Sequence, residues 1–393
     1  MSRMGGYQVE LAMIEKDLVE LREKALANPE SADAVTKYAY RFYQHASLTG
    51  NLEAIGEVEK VIDGALQTLG PAQDLCLLKA NLDFKLHRLA ETKGDLESSP
   101  GLAETHQGRT LLADIAFQEG RYAEAKSQFE ALIEEERKWD NLARLAFLTA
   151  KMGDVQQADE LYAEAEDEIT AKEMRSFAWV ELQRGVLDLT YGRSQEADEH
   201  YQRADRAYPG YWLVDEHMAA LLGQQHKFED AAALYEKVLR EVAKPELQQA
   251  LGQLYASMGK SQQAELWQGK ALNAYLRSAE RGHVHYYHHL VDFYVEVRTN
   301  ANEAVKWATK DLALRKNFST QTALAEALCL AGHIDEAVKT IDQALSSGVK
   351  DTRLFQQAGR IYKAAGRRRE AEHYLHLAEA INPHLHHFHV HHH

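Results

Sequence analysis

The sequence predicts an all-α array of repeated helical hairpins, and three observations predict it. The 393 residues contain only 6 Pro and 23 Gly, too few to punctuate several β-rich domains. Strong helix formers (Ala, Leu, Glu, Gln, Lys, Arg) fill most windows, whereas β-branched runs with period-two alternation are almost absent. One plan also recurs along the chain: an amphipathic helix, a Gly or polar turn, then a second helix with Ala five residues after the turn. A hydrophobic fraction of 45% gives such an array enough apolar surface for a continuous core.

The repeat is explicit at GRYAEAKSQFEAL from Gly120, GDVQQADELYAEA from Gly153, GRSQEADEHYQRA from Gly192 and HKFEDAAALYEKV from His226. It returns at GKSQQAELWQGKA from Gly259, GHIDEAVKTIDQA from Gly332 and GRRREAEHYLHLA from Gly366, with weaker copies turning near Gly50, His87 and Thr299. That makes about ten units, separated mostly by 33 or 34 residues. Gly at the turn allows the left-handed backbone that ends the first helix. Ala five residues later sits where two helices press closest, and Phe129, Tyr162, Tyr201 and Tyr235 four positions on fill the gap toward the next unit.

These spacings resemble the tetratricopeptide repeat, a 34-residue unit with a small residue at position 8, Ala at 20, an aromatic at 24, Ala at 27 and Pro at 32. Gly185, Ala197, Tyr201, Ala204 and Pro209 occupy those places in one unit, and Gly359, Ala371, Leu375, Ala378 and Pro383 in the last. The resemblance covers residues 36–383 and implies a right-handed α-solenoid. It departs from the pattern at Ile55, Thr92 and Asp292, and longer spacings separate Gly50 from His87, Gly153 from Gly192 and Gly259 from Thr299. Upstream, residues 1–35 hold a helix over 7–27 with Leu11, Ile14, Leu18, Leu21 and Ala25 on one face, expected to cap the first unit.

A net charge of -15 argues against nucleic acid and anionic membranes as partners. Cys76 and Cys329 are far apart and give no disulfide framework. No stretch resembles a secretory signal or a membrane span, so the expected location is the cytoplasm, or the periplasm if a signal peptide has been removed. No phosphate-binding Gly-rich loop, nucleophile elbow or His-Glu-x-x-His motif is present, and the chain is not expected to be an enzyme or to require a cofactor.

The expected function is a scaffold that binds a protein or peptide along its concave wall. The resemblance assigns that lining to positions 2, 5, 9, 12 and 13 of each first helix. In the middle of the array these include Asp140, Phe147 and Lys151, then Trp179, Leu182, Val186 and Leu189, then Glu216, Gln224, Gln249 and Gln253. The run Trp179, Leu182, Val186 and Leu189 either forms an apolar stripe for aliphatic anchors or packs against a neighbouring helix. The Lys and Asn pair with which some relatives clamp chaperone tails is missing, since positions 5 and 9 of the first four units hold Tyr40 and Gln44, Leu77 and Asn81, Thr110 and Asp114, and Ala143 and Phe147. Arg353, Arg360 and Lys363, with Arg367, Arg368 and Arg369, offer an acidic ligand a basic end, or simply form a solvated turn.

Histidine supplies the alternative function, a metal-binding or metal-responsive protein. His283, His285, His288 and His289 lie in GHVHYYHHLVDFY, and helical spacing puts His285 on one face with His288 and His289. Asp292, four residues beyond His288, completes a set suited to nickel, zinc or copper. The competing reading has these rings filling an atypical junction beside Tyr286, Tyr287 and Phe293. The segment 384–393, HLHHFHVHHH, is either a native metal-binding tail or an added tag.

Overall fold

The computed structural model describes residues 6–384 and is all-helical, with no strand among the described residues. A leading helix, α1 (Gly6–Ala27), precedes ten hairpins. The first five pair α2 (Ala32–Leu48) with α3 (Leu52–Leu69), α4 (Gln73–Lys85) with α5 (Leu89–Glu97), α6 (His106–Gln118) with α7 (Tyr122–Glu135), α8 (Trp139–Lys151) with α9 (Val155–Asp167), and α10 (Met174–Thr190) with α11 (Ser194–Ala207). The next five pair α12 (Trp212–Gln224) with α13 (Phe228–Glu241), α14 (Pro245–Ser257) with α15 (Ser261–Glu280), α16 (Tyr287–Asp292) with α17 (Ala301–Leu314), α18 (Phe318–Leu330) with α19 (Ile334–Ser346), and α20 (Thr352–Ala364) with α21 (Arg368–Ile381). The tail beyond His384 lies outside the described residues.

Local chemistry sets the helix ends. The side chains of Ser31, Asn51, Thr105, Asp154, Asn300, Asn317 and Asp351 each accept the amide of the residue three positions on, which satisfies a first-turn donor. The hairpin turns enter the left-handed region at each anticipated glycine, and also at His87 (φ 64°) and His226 (φ 58°), where a β-carbon must be tolerated. Within a hairpin, Ala125, Ala158, Ala197, Ala231 and Ala337 are fully buried at the helix crossing. Gly185 shows why position 8 must be small: a β-carbon there would stand 2.2 Å from the ring of Tyr201. Tyr201 is itself wholly buried.

One unit breaks the pattern. Asp292 stands where a small residue is required, α16 is short, and the chain passes through a π-helical turn at Phe293–Val297 before the next second helix. The turn expected near Thr299 has no left-handed glycine.

Neighbouring first helices pack against each other along the inside of the curve, as α18 does with α20 and α4 with α6. The curvature is tight enough to bring the later units onto the earlier ones. Trp212 Nε1 donates to Leu48 O at 2.9 Å, Asn317 Nδ2 to Gln118 Oε1 at 2.9 Å, the Phe318 amide to Tyr122 Oη at 2.9 Å and Asn382 Nδ2 to Leu189 O at 3.2 Å. The Lys350 amide donates to Lys151 O at 2.7 Å, and Lys151 pairs with Asp351 at 2.9 Å. Sequence separations across this seam run from 164 to 200 residues, so the chain completes roughly two stacked turns.

The seam also explains α1. Ile14 and Ala25 are buried and Leu11 and Leu18 half-buried, as a cap requires, but the helix reaches further than the first unit. Tyr7 stacks on Tyr211 with ring centroids 5.8 Å apart, and Tyr208 Oη donates to Glu10 at 2.5 Å. Stability carried by nearest neighbours alone is thus too simple an account of this array, because each early unit also supports a late one.

The turn glycines of the first superhelical turn are pressed against the second. A β-carbon on Gly120 would stand 2.8 Å from Lys316 O, whereas one on Gly332 would meet nothing. Both Gly→Ala changes incur the left-handed penalty of about 1–2 kcal/mol. Gly120→Ala should cost at least about 1 kcal/mol more than Gly332→Ala in chemical denaturation, because a backbone carbonyl must move. Equal losses would show that the seam is not closed at this point in solution.

Candidate interaction surface on the inner wall

The inner wall is built by the first helices, and its accessible apolar groups have a simple distribution. Three of these helices carry a large exposed hydrophobic residue: Tyr40 on α2 (52% exposed), Phe147 on α8 (39%) and Leu330 on α18 (40%). Their places in the repeat are positions 5, 9 and 13, all assigned to the concave lining. Phe147 leans on Phe117 at a ring-centroid distance of 5.5 Å, and Lys151 stands 5.5 Å above it. Arg144 frames this aromatic pair on the other side through ion pairs to Asp114 at 2.9 Å and Asp140 at 3.0 Å. Burial raises the Asp114 carboxyl, and Arg144 offsets part of that rise.

The expected stripe on α10 is not presented as one surface. Leu182 and Leu189 are buried in the core with Ala178, Ala197 and Tyr201, so they do not line a groove. Trp179 is half-buried with its ring against Trp139 at 6.0 Å, and Val186 is half-buried. Tight curvature accounts for this correction, since neighbouring first helices close over side chains that a more open solenoid would expose. Glu216 and Gln249 are buried as well, and Gln249 Oε1 accepts from Tyr275 Oη at 3.1 Å; Gln253 is half-buried.

The basic end is also rearranged. Arg353 does not wait for a ligand: it pairs with Asp292 at 2.6 Å and Glu326 at 3.1 Å, with Glu296 at 4.0 Å. Burial raises the Glu326 carboxyl, an effect Arg353 partly offsets. Arg360 and Lys363 remain exposed, while Arg367 lies over Tyr362 and pairs with Glu370 at 2.9 Å.

The histidines do not assemble as their spacing suggested. Asp292 is engaged by Arg353, and His289 stacks on Tyr275 with its Nε2 3.9 Å from Glu246. No ring contact joins His283 to the other three, and among the described residues no group of three or more His, Cys, Asp or Glu is placed to hold a metal ion. His285 and His288 instead meet a residue that spacing could not bring in. His87, at the left-handed turn between α4 and α5, lies 5.0 Å from His285 and 5.4 Å from His288 between ring centroids. Burial pushes His285 down to about 3, so its ring is neutral at ordinary pH.

Beside this junction lies a group of charges that sequence reasoning missed. Lys244 sits 5.2 Å from the Trp212 ring centre and 3.7 Å from Glu246, with Glu216 close enough to interact electrostatically with both. Burial works against the Lys244 charge, but Glu246 and Glu216 carry it upward on balance. Burial pushes Glu216 up to about 7, with Lys244 opposing and Glu246 assisting. Burial likewise pushes His217 down to about 4, although its Nδ1 is bonded to Leu213 O at 2.8 Å. No local motif marks this set, because its members come from two neighbouring units and meet only when those units pack together.

Comparison with known proteins places part of this architecture. The model of the TT21 fifth ARM repeats domain, a helical-repeat family, matches residues 106–209. The chain is similar to one in the crystal structure of the APC/C hetero-tetramer Cut9–Hcn1, at 14% identity and a TM-score of 0.45, over 96% of this chain and 86% of that one. It is also similar to a chain in the structure of Naa15/Naa10 bound to HypK-THB, at 14% identity and a TM-score of 0.29, over 94% of this chain and 67% of that one. No curated protein matches the sequence.

The raised carboxyl of Glu216 has a definite consequence for stability. Its folded pKa, about 7, lies above the ordinary 4.5, so folding favours the protonated form; this stabilisation is complete below pH 4.5 and is lost as pH rises through 7. His217, with a folded pKa of about 4 against 6.5, acts in the opposite direction and loses stability as pH falls from 6.5 to 4. Glu216→Gln removes only the first effect. The variant should therefore gain on wild type between pH 5 and 8 by about 1–3 kcal/mol in denaturant titrations. A gap that stays constant with pH would mean that Glu216 ionises normally.

Proposed function

We propose that this protein is a scaffold that binds a polypeptide partner along its inner wall, with Tyr40, Phe147 and Leu330 as contact residues. The observation that carries the reading is that these three exposed hydrophobic side chains on first helices all fall at lining positions. Burying an exposed aromatic or leucine side chain contributes about 1.5–3 kcal/mol, and aromatic anchors dominate most interfaces. The Phe117–Phe147 pair supplies a rigid apolar platform, and the fixed ion pairs of Arg144 and Lys151 border it with polar groups that need no reorganisation. Leu182, Leu189, Glu216 and Gln249, also at lining positions, are buried, which leaves fewer places for a partner to bind.

Peptides selected from a display library against the full chain provide the test. Phe147→Ala should weaken the selected binders by about tenfold or more, since loss of an anchor costs more than about 1 kcal/mol. Its thermal midpoint should stay close to that of wild type, because Phe147 is partly exposed already. Leu266→Ala on α15, also an exposed hydrophobic residue but on a second helix, should bind normally. Binders indifferent to Phe147→Ala, Tyr40→Ala and Leu330→Ala together would place the binding surface elsewhere.

A further inference from the structure

The two faces of α1 differ in character. Tyr7, Ile14 and Ala25, with Leu11 and Leu18, lie against the array and are buried or half-buried. On the opposite face Val9, Ala12, Lys16, Val19, Glu23 and Leu26 recur at alternating spacings of three and four residues, and all are exposed. Met13 and Glu20 flank this row and are exposed as well. Leu26 (71%), Val19 (63%) and Met13 (62%) are the three most exposed large hydrophobic residues among the described residues. Scattered singly, such side chains need no explanation; gathered on one face of one helix, they mark a contact surface.

The fold holds this face in place before any contact forms. Tyr7 stacks on Tyr211 and its amide donates to Pro209 O at 3.3 Å, while Glu10 pairs with Arg175 at 3.2 Å and Asp17 with Arg41 at 2.7 Å. A helix anchored along its inner side loses little freedom on docking. Within the outward row, Lys16 and Glu23 have no ion pair among the described residues, and Glu20 pairs at 2.6 Å with Lys24 of the same helix.

These charges decide what the face fits. Two copies of α1 laid side by side in parallel oppose Lys16 to Lys16 and Glu23 to Glu23, which repels. Laid antiparallel about a two-fold axis between Asp17 and Leu18, the same faces match. Val9 of each copy then meets Leu26 of the other, and Val19 lies on the aliphatic stem of the other copy's Lys16. The ammonium of that lysine comes within about one helical turn of both Glu20 and Glu23. We infer that the outward face of α1 is a homodimer contact, in which two copies pair antiparallel through Val9, Val19 and Leu26 with Lys16 of each beside Glu20 and Glu23 of the other. None of these residues is at a lining position of the inner wall, and neither reading depends on the other.

Sedimentation velocity of the full chain between about 1 and 100 µM tests the pairing, a range suited to the small interface that one pair of helices buries. A dimer is expected within it. Val19→Ser combined with Leu26→Ser should be monomeric throughout and, at the lowest concentration, should keep the thermal midpoint of wild type, because neither side chain belongs to the core. Lys16→Glu should weaken the dimer by about tenfold or more, and adding Glu20→Lys and Glu23→Lys to that variant should restore it. A wild-type chain still monomeric at about 100 µM overturns the inference, whatever other protein the face then serves. A dimer that survives Val19→Ser with Leu26→Ser, or that is indifferent to the charge reversals, overturns it equally.

Discussion

The contact between one superhelical turn and the next constrains the rest of this structure. A chain of stacked hairpins can coil at many pitches, because neighbouring units fix only their mutual rotation. Here the pitch has closed until the turns touch: the Lys151 carbonyl accepts the Lys350 amide, and the carbonyls of Leu48 and Leu189 accept the side-chain N–H groups of Trp212 and Asn382. These are buried or half-buried polar groups whose loss would leave donors and acceptors unsatisfied, at about 1–3 kcal/mol each. Once the turns touch, their edges must fit. The glycine turn at Gly120 lies directly against the chain at Lys316.

The hairpins themselves were fully legible in the sequence. Turn glycines, crossing alanines and large residues four positions later encode contacts within a unit or between adjacent units, so spacing of 33 or 34 residues reveals them. Even the irregular unit announced itself through Asp292 at a position reserved for small residues. The seam left no comparable trace. Leu48 and Trp212, or His87 and His285, are far apart in the chain and belong to no shared motif, and only the pitch of the coil brings them together. For the same reason the inner wall was only partly legible. Phe147 stands exposed at its lining position, but tight curvature closes the core over Leu182 and Leu189.

The enclosed charges show how an acidic chain can coil this tightly. Carboxylates on one unit are matched by arginines or lysines on another, as Arg353 on α20 bridges Asp292 and Glu326 on two preceding units. A buried pair of this kind contributes little net stability over an apolar substitute, but breaking it by removing one partner is expensive. Such pairs therefore select one register of unit on unit against its alternatives. Asp292 illustrates the balance: it stands where the repeat calls for a small residue, immediately precedes a π-helical turn, and supplies a counter-charge for Arg353.

Stacked turns also give the molecule a mechanical character that open solenoids lack. An open solenoid behaves as a soft spring, extending and compressing about its resting length with little resistance in either direction. In this chain the coils already touch, so compression meets packed backbone, while extension must first separate hydrogen bonds and ion pairs that act in parallel along the seam. The response to load is therefore one-sided. Pulling on the two ends would leave the coil nearly at fixed length up to a threshold force, and beyond it the coil would lengthen abruptly into a compliant ribbon of hairpins.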